Sequence, residues 1–217
     1  MKASRRALWQ GSLAILGSVW STRTSAEEPV DRFLQKLAQA RLGLRSLRGS
    51  FGQERTLSLF ASVVKSRGSF LFVAPDFLRW ELAPPDAITY WVTPSGVGYR
   101  SRNGMGRIPK ATASSHGPLD DLGAILGGDL RPLQSRYTFR LLDGAQRRDA
   151  PWALEAQARA PRKGTPTHIA MGFAEDLLRP LWLTLTFGPK DKTSLVFEAV
   201  TVNGPVPAEE TTIPAQP

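Results

Sequence analysis

The sequence predicts an α+β domain, in which a curved antiparallel sheet wraps toward a barrel and is plugged by two helices. Three observations predict it. Apolar residues recur with period two from Leu47 to Tyr99 and again from Tyr137 to Val202, and residues that alternate in this way point to opposite faces of a strand. The connections of the first stretch are short and carry proline or glycine, which joins antiparallel neighbours without crossover helices. Only two segments carry helical spacing, too few to cover a wide sheet on both faces.

The elements follow in chain order. Residues 1–26 read as an export signal: Lys2, Arg5 and Arg6 give a positive start, Ala7–Trp20 is mostly apolar, and Thr24-Ser25-Ala26 offers a small-residue cleavage site. Ser4-Arg5-Arg6-Ala7-Leu8 partly fits a twin-arginine signal, and the general secretory route fits as well. Residues 27–217 are then expected to form one domain. Pro29–Leu44 is predicted to be a helix, because Val30, Phe33, Leu34, Leu37 and Arg41 follow helical spacing and the first four are apolar. Pro29 suits the first turn and Gly43 the stop.

Five strands are expected next: Leu47–Leu57, Leu59–Val73, Asp76–Leu82, Ala87–Thr93 and Val97–Ser101. Ala74-Pro75, Pro84-Pro85-Asp86 and Pro94-Ser95-Gly96 supply the turns. Asn103–Gly117 is rich in Gly, Ser and Ala and is expected to be a loop. Pro118–Leu126 is predicted to be a short helix with Leu119, Leu122, Ile125 and Leu126 as its apolar set, stopped by Gly127-Gly128. Strands return at Tyr137–Leu142, Trp152–Ala158, Thr167–Phe173, Leu181–Phe187 and Leu195–Val202. The proline-rich tail after Asn203 is expected to be irregular.

Composition narrows the function classes. Removing residues 1–26 takes away four of the 28 basic residues and no acidic one, leaving 24 against 19. That modest excess, without a cluster of cations and aromatics, argues against nucleic acid. There is no cysteine, so there is neither a disulfide nor a lipid-modified cysteine. No stretch of about 20 uninterrupted apolar residues predicts a mature membrane span. His116 and His168 have no second metal ligand at recognisable spacing, and no G-x-S-x-G, H-E-x-x-H or phosphate loop occurs. Asp120-Asp121 suits the first turn of the Pro118 helix, where negative charge is favourable, and Glu209-Glu210 lies in the tail. No catalytic residue, metal or cofactor is expected, and an enzyme is not expected.

The most informative stretch is VAPDFLRWELAPPD, residues 73–86. Leu78, Trp80 and Leu82 share one face and Arg79 and Glu81 the other. The Trp80 face closes an ordinary core or lines a surface that something else fills.

Several pieces in order resemble the LolA-like lipoprotein carriers. They are Gly49-Ser50-Phe51-Gly52-Gln53, Gly68-Ser69-Phe70-Leu71-Phe72, then Pro75, Leu78-Arg79-Trp80 and Pro84 or Pro85. Trp152-Ala153-Leu154-Glu155 and Thr201-Val202-Asn203 with Pro207 follow. The resemblance implies a half-open barrel closed by the N-terminal helix and a short lid helix, with an apolar cavity for lipoprotein acyl chains. It implies a periplasmic monomer that takes cargo from an inner-membrane ABC transporter and hands it to a lipid-anchored outer-membrane receptor. Phe70, Phe72, Leu78, Trp80 and Leu82 would line the cavity, with Ile88 and Tyr90 beside them. The inward face of strand 87–93 stays open between Tyr90 and Trp91. Leu122, Ile125 and Leu126 would come from the lid. The family's basic residue before the strand-bounding proline, associated with lid closure, is Ala74 here, and Arg79 is expected on the outer surface. The alternatives are a carrier of another envelope lipid, or a non-catalytic lipoprotein-sensing or scaffold module on the same fold.

Overall fold

The computed structural model describes residues 27–57, 63–109, 118–127 and 129–214. The expected export signal, the expected start of the second strand at Leu59, His116 and the helix stop at Gly128 lie outside the described residues. The helix α1 (Glu27–Ala40) leads into a meander of six strands: β1 (Ser46–Thr56), β2 (Val63–Val73), β3 (Phe77–Leu82), β4 (Ile88–Thr93), β5 (Gly96–Ser101) and β6 (Gly104–Pro109). The helix α2 (Pro118–Gly127) and the single turn α3 (Arg131–Gln134) follow. A second meander holds β7 (Tyr137–Leu141), β8 (Trp152–Ala158), β9 (His168–Phe173), β10 (Pro180–Thr186) and β11 (Lys192–Val202), and the turn α4 (Ala208–Thr211) comes last.

The two meanders join through β1 and β11. All pairs are antiparallel, in the order β6-β5-β4-β3-β2-β1-β11-β10-β9-β8-β7. The sheet is curved and open, with β6 and β7 at its edges, as the half-open barrel requires. β1, β2 and β11 are its longest strands, at 11 residues each, and they form its spine.

Helix α1 forms because its apolar stripe has a place to go. Val30, Phe33 and Leu37 are buried against the concave face of the sheet. One large core cluster unites Phe33 and Leu37 with Leu122, Ile125 and Leu126 of α2 and the inward residues of both meanders. A second, small cluster (Leu142, Ala150, Ala153 and Trp182) sits apart from it.

Three expectations are corrected. The predicted loop from Asn103 contains a strand, β6, in full register with β5. Its glycines hide the alternation, and Gly106 is needed because the Tyr99 ring lies over it: a Cβ there would sit 2.5 Å from the ring. The sheet therefore has eleven strands, not about ten. The tail is not wholly irregular, since α4 is tied to β1 by an ion pair from Arg48 to Glu210. Asn203 holds the tail's other end. Its Oδ1 accepts from the Arg45 and Ser46 amides at 2.7 and 3.2 Å, and its Nδ2 donates to the Gly43 carbonyl at 2.9 Å. The side chain thus stands in for a missing strand at the start of β1.

Candidate functional site

Strand register decides which residues face inward. Leu78, Trp80 and Leu82 lie opposite Val92, Tyr90 and Ile88, while Arg79 lies opposite Trp91. Directly opposed residues share a face, so Tyr90 and Ile88 point inward with Trp80, and Trp91 points outward. Phe70 and Phe72 oppose Trp80 and Leu78 on the other side and share the inner face. Arg79 bonds Glu81 at 2.6 Å on the outer face, where the sequence places it.

Seven of the ten expected lining residues are fully packed: Phe70, Phe72, Leu78, Trp80, Leu122, Ile125 and Leu126 are at most 4 % exposed. Leu82 and Tyr90 are half-buried against the same cluster. Ile88 is half-buried on the same face, at the end of its strand. Trp80 sits at the centre. Its ring stacks on Phe51 with centroids 4.0 Å apart and meets Phe197 edge-on at 6.5 Å. Phe51 and Phe197 belong to this aromatic nest, and alternation within β3 alone gives no sign of them. Gly68 makes the stacking possible, since a Cβ there would lie 2.4 Å from the Phe51 ring.

Helix α2 is the cover of this face. Ile125 and Leu126 are buried in the core cluster with the inward residues of the sheet, and Gly127 lets the end of the helix approach Phe72, which a Cβ would meet at 2.9 Å. The last carbonyls of a helix have no partner within it. Here they are met by Arg41, at 6 % exposure the most deeply buried cation among the described residues. Its Nη1 donates to the Ile125 and Leu126 carbonyls at 2.6 and 2.7 Å. Its Nε donates to the Leu177 carbonyl in the β9–β10 turn at 2.8 Å, and its plane lies over the Phe173 ring at 5.2 Å. One guanidinium therefore ties the end of α1, the end of α2 and the far meander together. Burial lowers its pKa to about 10, against a partly opposing pull from Asp176, so it remains charged at neutral pH.

The other end of α2 is held by a carboxylate. Asp121 is 0 % exposed and accepts from Arg136 Nη2 at 2.6 Å and from the Tyr137 hydroxyl at 3.1 Å. Burial, followed by the Asp121 charge, pushes the Tyr137 hydroxyl well above its ordinary pKa. Position in the first turn alone suggests a helix-dipole role for Asp121, and the structure adds a second anchor of the cover.

Arg41 is thus a site residue that sequence reasoning misses. The signal is present: it occupies the next position of the apolar stripe after Leu37. A cation on a buried stripe needs several acceptors, and the acceptors come from distant elements. Ala74, which bounds the β2–β3 turn, makes no such contact through its side chain. Arg41 reaches the cover from α1 instead.

Among the described residues no group of three His, Asp or Glu side chains is placed to hold a metal. His168 stands at the start of β9, its Nδ1 3.3 Å from Thr167 Oγ1. No described helix is long and apolar enough to cross a membrane.

No family model matches this chain, and no curated protein matches it. Solved structures match its fold. An uncharacterized conserved protein from Thermus thermophilus superposes with a TM-score of 0.51 at 10% identity, covering 85% of this chain and 94% of that one. A LolA superfamily protein, NE2245 from Nitrosomonas europaea, aligns over 84% of this chain and 97% of its own at 11% identity, with a TM-score of 0.43. MucB of Pseudomonas aeruginosa, solved with MucA, gives 0.48 at 14% identity; the match spans 86% of this chain and 61% of that one. The first of these likenesses is of fold alone, and at such identity it carries no activity with it.

Proposed function

We propose that this chain is a periplasmic carrier that holds the acyl chains of a lipoprotein against the concave face of its sheet. The observation that carries this reading is the nature of the cover. A continuous apolar face of Phe70, Phe72, Leu78 and Trp80 is closed by apolar side chains of α2, and α2 is fixed by polar contacts concentrated at its two ends. Polar anchors at the ends give a cover two discrete states, and the apolar side chains between them can be exchanged for hydrocarbon. Each buried methylene is worth about 0.8 kcal/mol. An acyl chain replacing Ile125 and Leu126 gains from the protein much of what it loses on leaving a bilayer, so uptake and release stay close to balance. When empty, the cover prevents a large exposed apolar patch.

On this reading the export signal sends the chain to the periplasm. An inner-membrane ABC transporter supplies the cargo and a lipid-anchored outer-membrane receptor accepts it.

The test is mass spectrometry of material co-purifying with the protein, compared between the wild type and Arg41→Leu. Loss of the anchor raises the population of the open state, and apparent affinity rises with that population. The variant is expected to retain more acylated lipoprotein than the wild type. Neither protein carrying any acylated molecule would overturn the reading, and a free glycolipid would redirect it to another envelope lipid.

A further inference from the structure

The register of the sheet sorts its connections onto two ends. The β3–β4, β5–β6, β8–β9 and β10–β11 turns, the entry to β7 and the open side of the β1–β2 hairpin all lie at one end. Thr56 pairs with both Val63 and Lys192, and Thr186 with both Lys192 and His168. Gln157 also pairs with His168, which closes the series. The described connections at this end hold six basic residues (Arg102, Arg136, Arg159, Arg162, Lys163 and Lys190) against two acidic ones, Asp86 and Asp191. At the opposite end Arg41, Arg45, Arg147, Arg148 and Arg179 meet five acidic residues, Asp76, Asp143, Asp149, Glu175 and Asp176. Net charge is therefore strongly one-sided along the strands, although the whole chain is only moderately basic.

Three of the six cations at the basic end, Arg102, Arg162 and Lys163, are exposed and free of ion pairs among the described residues. Arg136 is paired with Asp121. A second kind of residue accompanies them. Val63 and Val64, which begin β2, are 48% and 40% exposed, and they lie directly across from Thr56 and Arg55. Successive strand residues point to opposite faces, so Val63 and Val64 leave one exposed apolar side chain on each face of this end, among its cations. They match an interface in which anionic headgroups meet hydrocarbon, where electrostatic attraction and apolar insertion act together. An acidic protein would account for the charge but not for the paired valines.

We propose that this end of the sheet docks the protein on an anionic lipid bilayer, with the Arg159–Lys163 turn and its neighbours on the headgroups and Val63 and Val64 at the apolar boundary. The inference stands independently of what the concave face carries.

Vesicle flotation of the chain from Glu27 onward, which contains every described element, tests it. The probes are vesicles of equal parts phosphatidylglycerol and phosphatidylethanolamine, compared with phosphatidylcholine alone. The protein is expected to float with the anionic vesicles only, and to be released at about 1 M salt, where the screening length falls to about 3 Å. Arg162→Glu with Lys163→Glu should lower binding at least about tenfold, and Val63→Ser with Val64→Ser should lower it without changing its salt dependence. Arg45→Glu, an exposed position at the opposite end, should leave it unchanged. Flotation equal on phosphatidylcholine, no flotation on anionic vesicles, or an equal loss from Arg45→Glu would each overturn the proposal. So would binding to an acidic protein with none to vesicles. Whole-vesicle flotation released by salt does not depend on a lipid held under α2, so failure of the carrier reading leaves this result standing.

Discussion

Trp80 and Trp91 are both 3% exposed, lie on adjacent strands, and face opposite sides of the sheet. Their covers differ. Trp80 is enclosed by Phe51, Phe70 and Phe197, in the cluster that α2 completes. Trp91 lines a cavity together with Ile213 and Pro214 of the C-terminal segment, and the Arg100 guanidinium lies 5.4 Å over its ring. The inner cover is a helix anchored at both ends by buried charged groups. The outer cover is a strap of a few residues held by a partly exposed ion pair. Equal burial of two tryptophans therefore says little about role. What surrounds the anchors of each cover says more.

The sharpest way to break the comparison is to remove each ring in turn. Trp80→Ala empties the aromatic nest and is expected to cost about 4 kcal/mol, within the range for large aromatic truncations in a core. Trp91→Ala loses a ring packed on only one layer of chain and is expected to cost about 2 kcal/mol by the same reasoning. The two should also separate by function, since only Trp80→Ala is expected to lower the amount of co-purifying acylated lipid. Urea denaturation of both variants, with mass spectrometry of both, checks it. Equal loss of lipid from Trp91→Ala would remove the functional distinction between the faces.

The second test is of the inner anchor. Arg41→Leu keeps the stem volume near Phe173 but leaves the Ile125, Leu126 and Leu177 carbonyls without their donor. An unsatisfied buried polar group costs about 1–3 kcal/mol, and water reaching a loosened helix end recovers part of it. A loss of about 3 kcal/mol is expected, concentrated locally. Hydrogen exchange should accelerate across Leu122–Gly127 and stay unchanged in β1 and β11. Uniform acceleration across the sheet would mean that α2 is an ordinary part of the core rather than a separable cover.

Much of this arrangement was legible in the sequence, and the exceptions share a cause. Period-two alternation placed Leu78, Trp80 and Leu82 on one face of β3 and Phe70 and Phe72 on one face of β2, because a strand's own residues determine its faces; the register between the strands makes the two faces one. The boundaries of β8 matched the expectation, since Trp152–Ala158 alternates and is bounded by Pro151 and Arg159. The inward direction of Tyr90 rather than Trp91 could not be read, because both are large aromatics and only the register with β3 chooses between them. β6 was hidden by glycines whose need arises from Tyr99 on the neighbouring strand. Arg41 and Asp121 were visible as charged residues in helical segments, but their partners stand 84 and 15 residues away. Local pattern reveals a face, and long-range contacts assign its meaning.

The outer strap supplies the smaller effects. Ile213→Ala removes one half-exposed side chain, 41% exposed, from beside Trp91 and is expected to cost about 1 kcal/mol. Iodide should quench tryptophan emission more strongly in this variant than in the wild type, and lipid content should not change. A fall in lipid content would show that the two faces are coupled through the sheet.

Glu210→Gln is the smallest change and isolates the strap's fastening. Glu210 accepts from Arg48 on both oxygens, but the Arg48 and Glu210 side chains are 43% and 27% exposed. Solvent screening and side-chain entropy keep such pairs within about 0–1 kcal/mol, so a loss below about 0.5 kcal/mol is expected, vanishing in high salt. The strap should nevertheless loosen measurably. Amides from Ala208 to Thr212 should exchange faster, while Asn203, which holds the segment's origin through three hydrogen bonds to the β1 entry, keeps the preceding residues in place. A loss of several kcal/mol, or faster exchange in α2, would mean that the strap fastens the whole sheet and that the contrast between a separable inner cover and a light outer one is drawn in the wrong place.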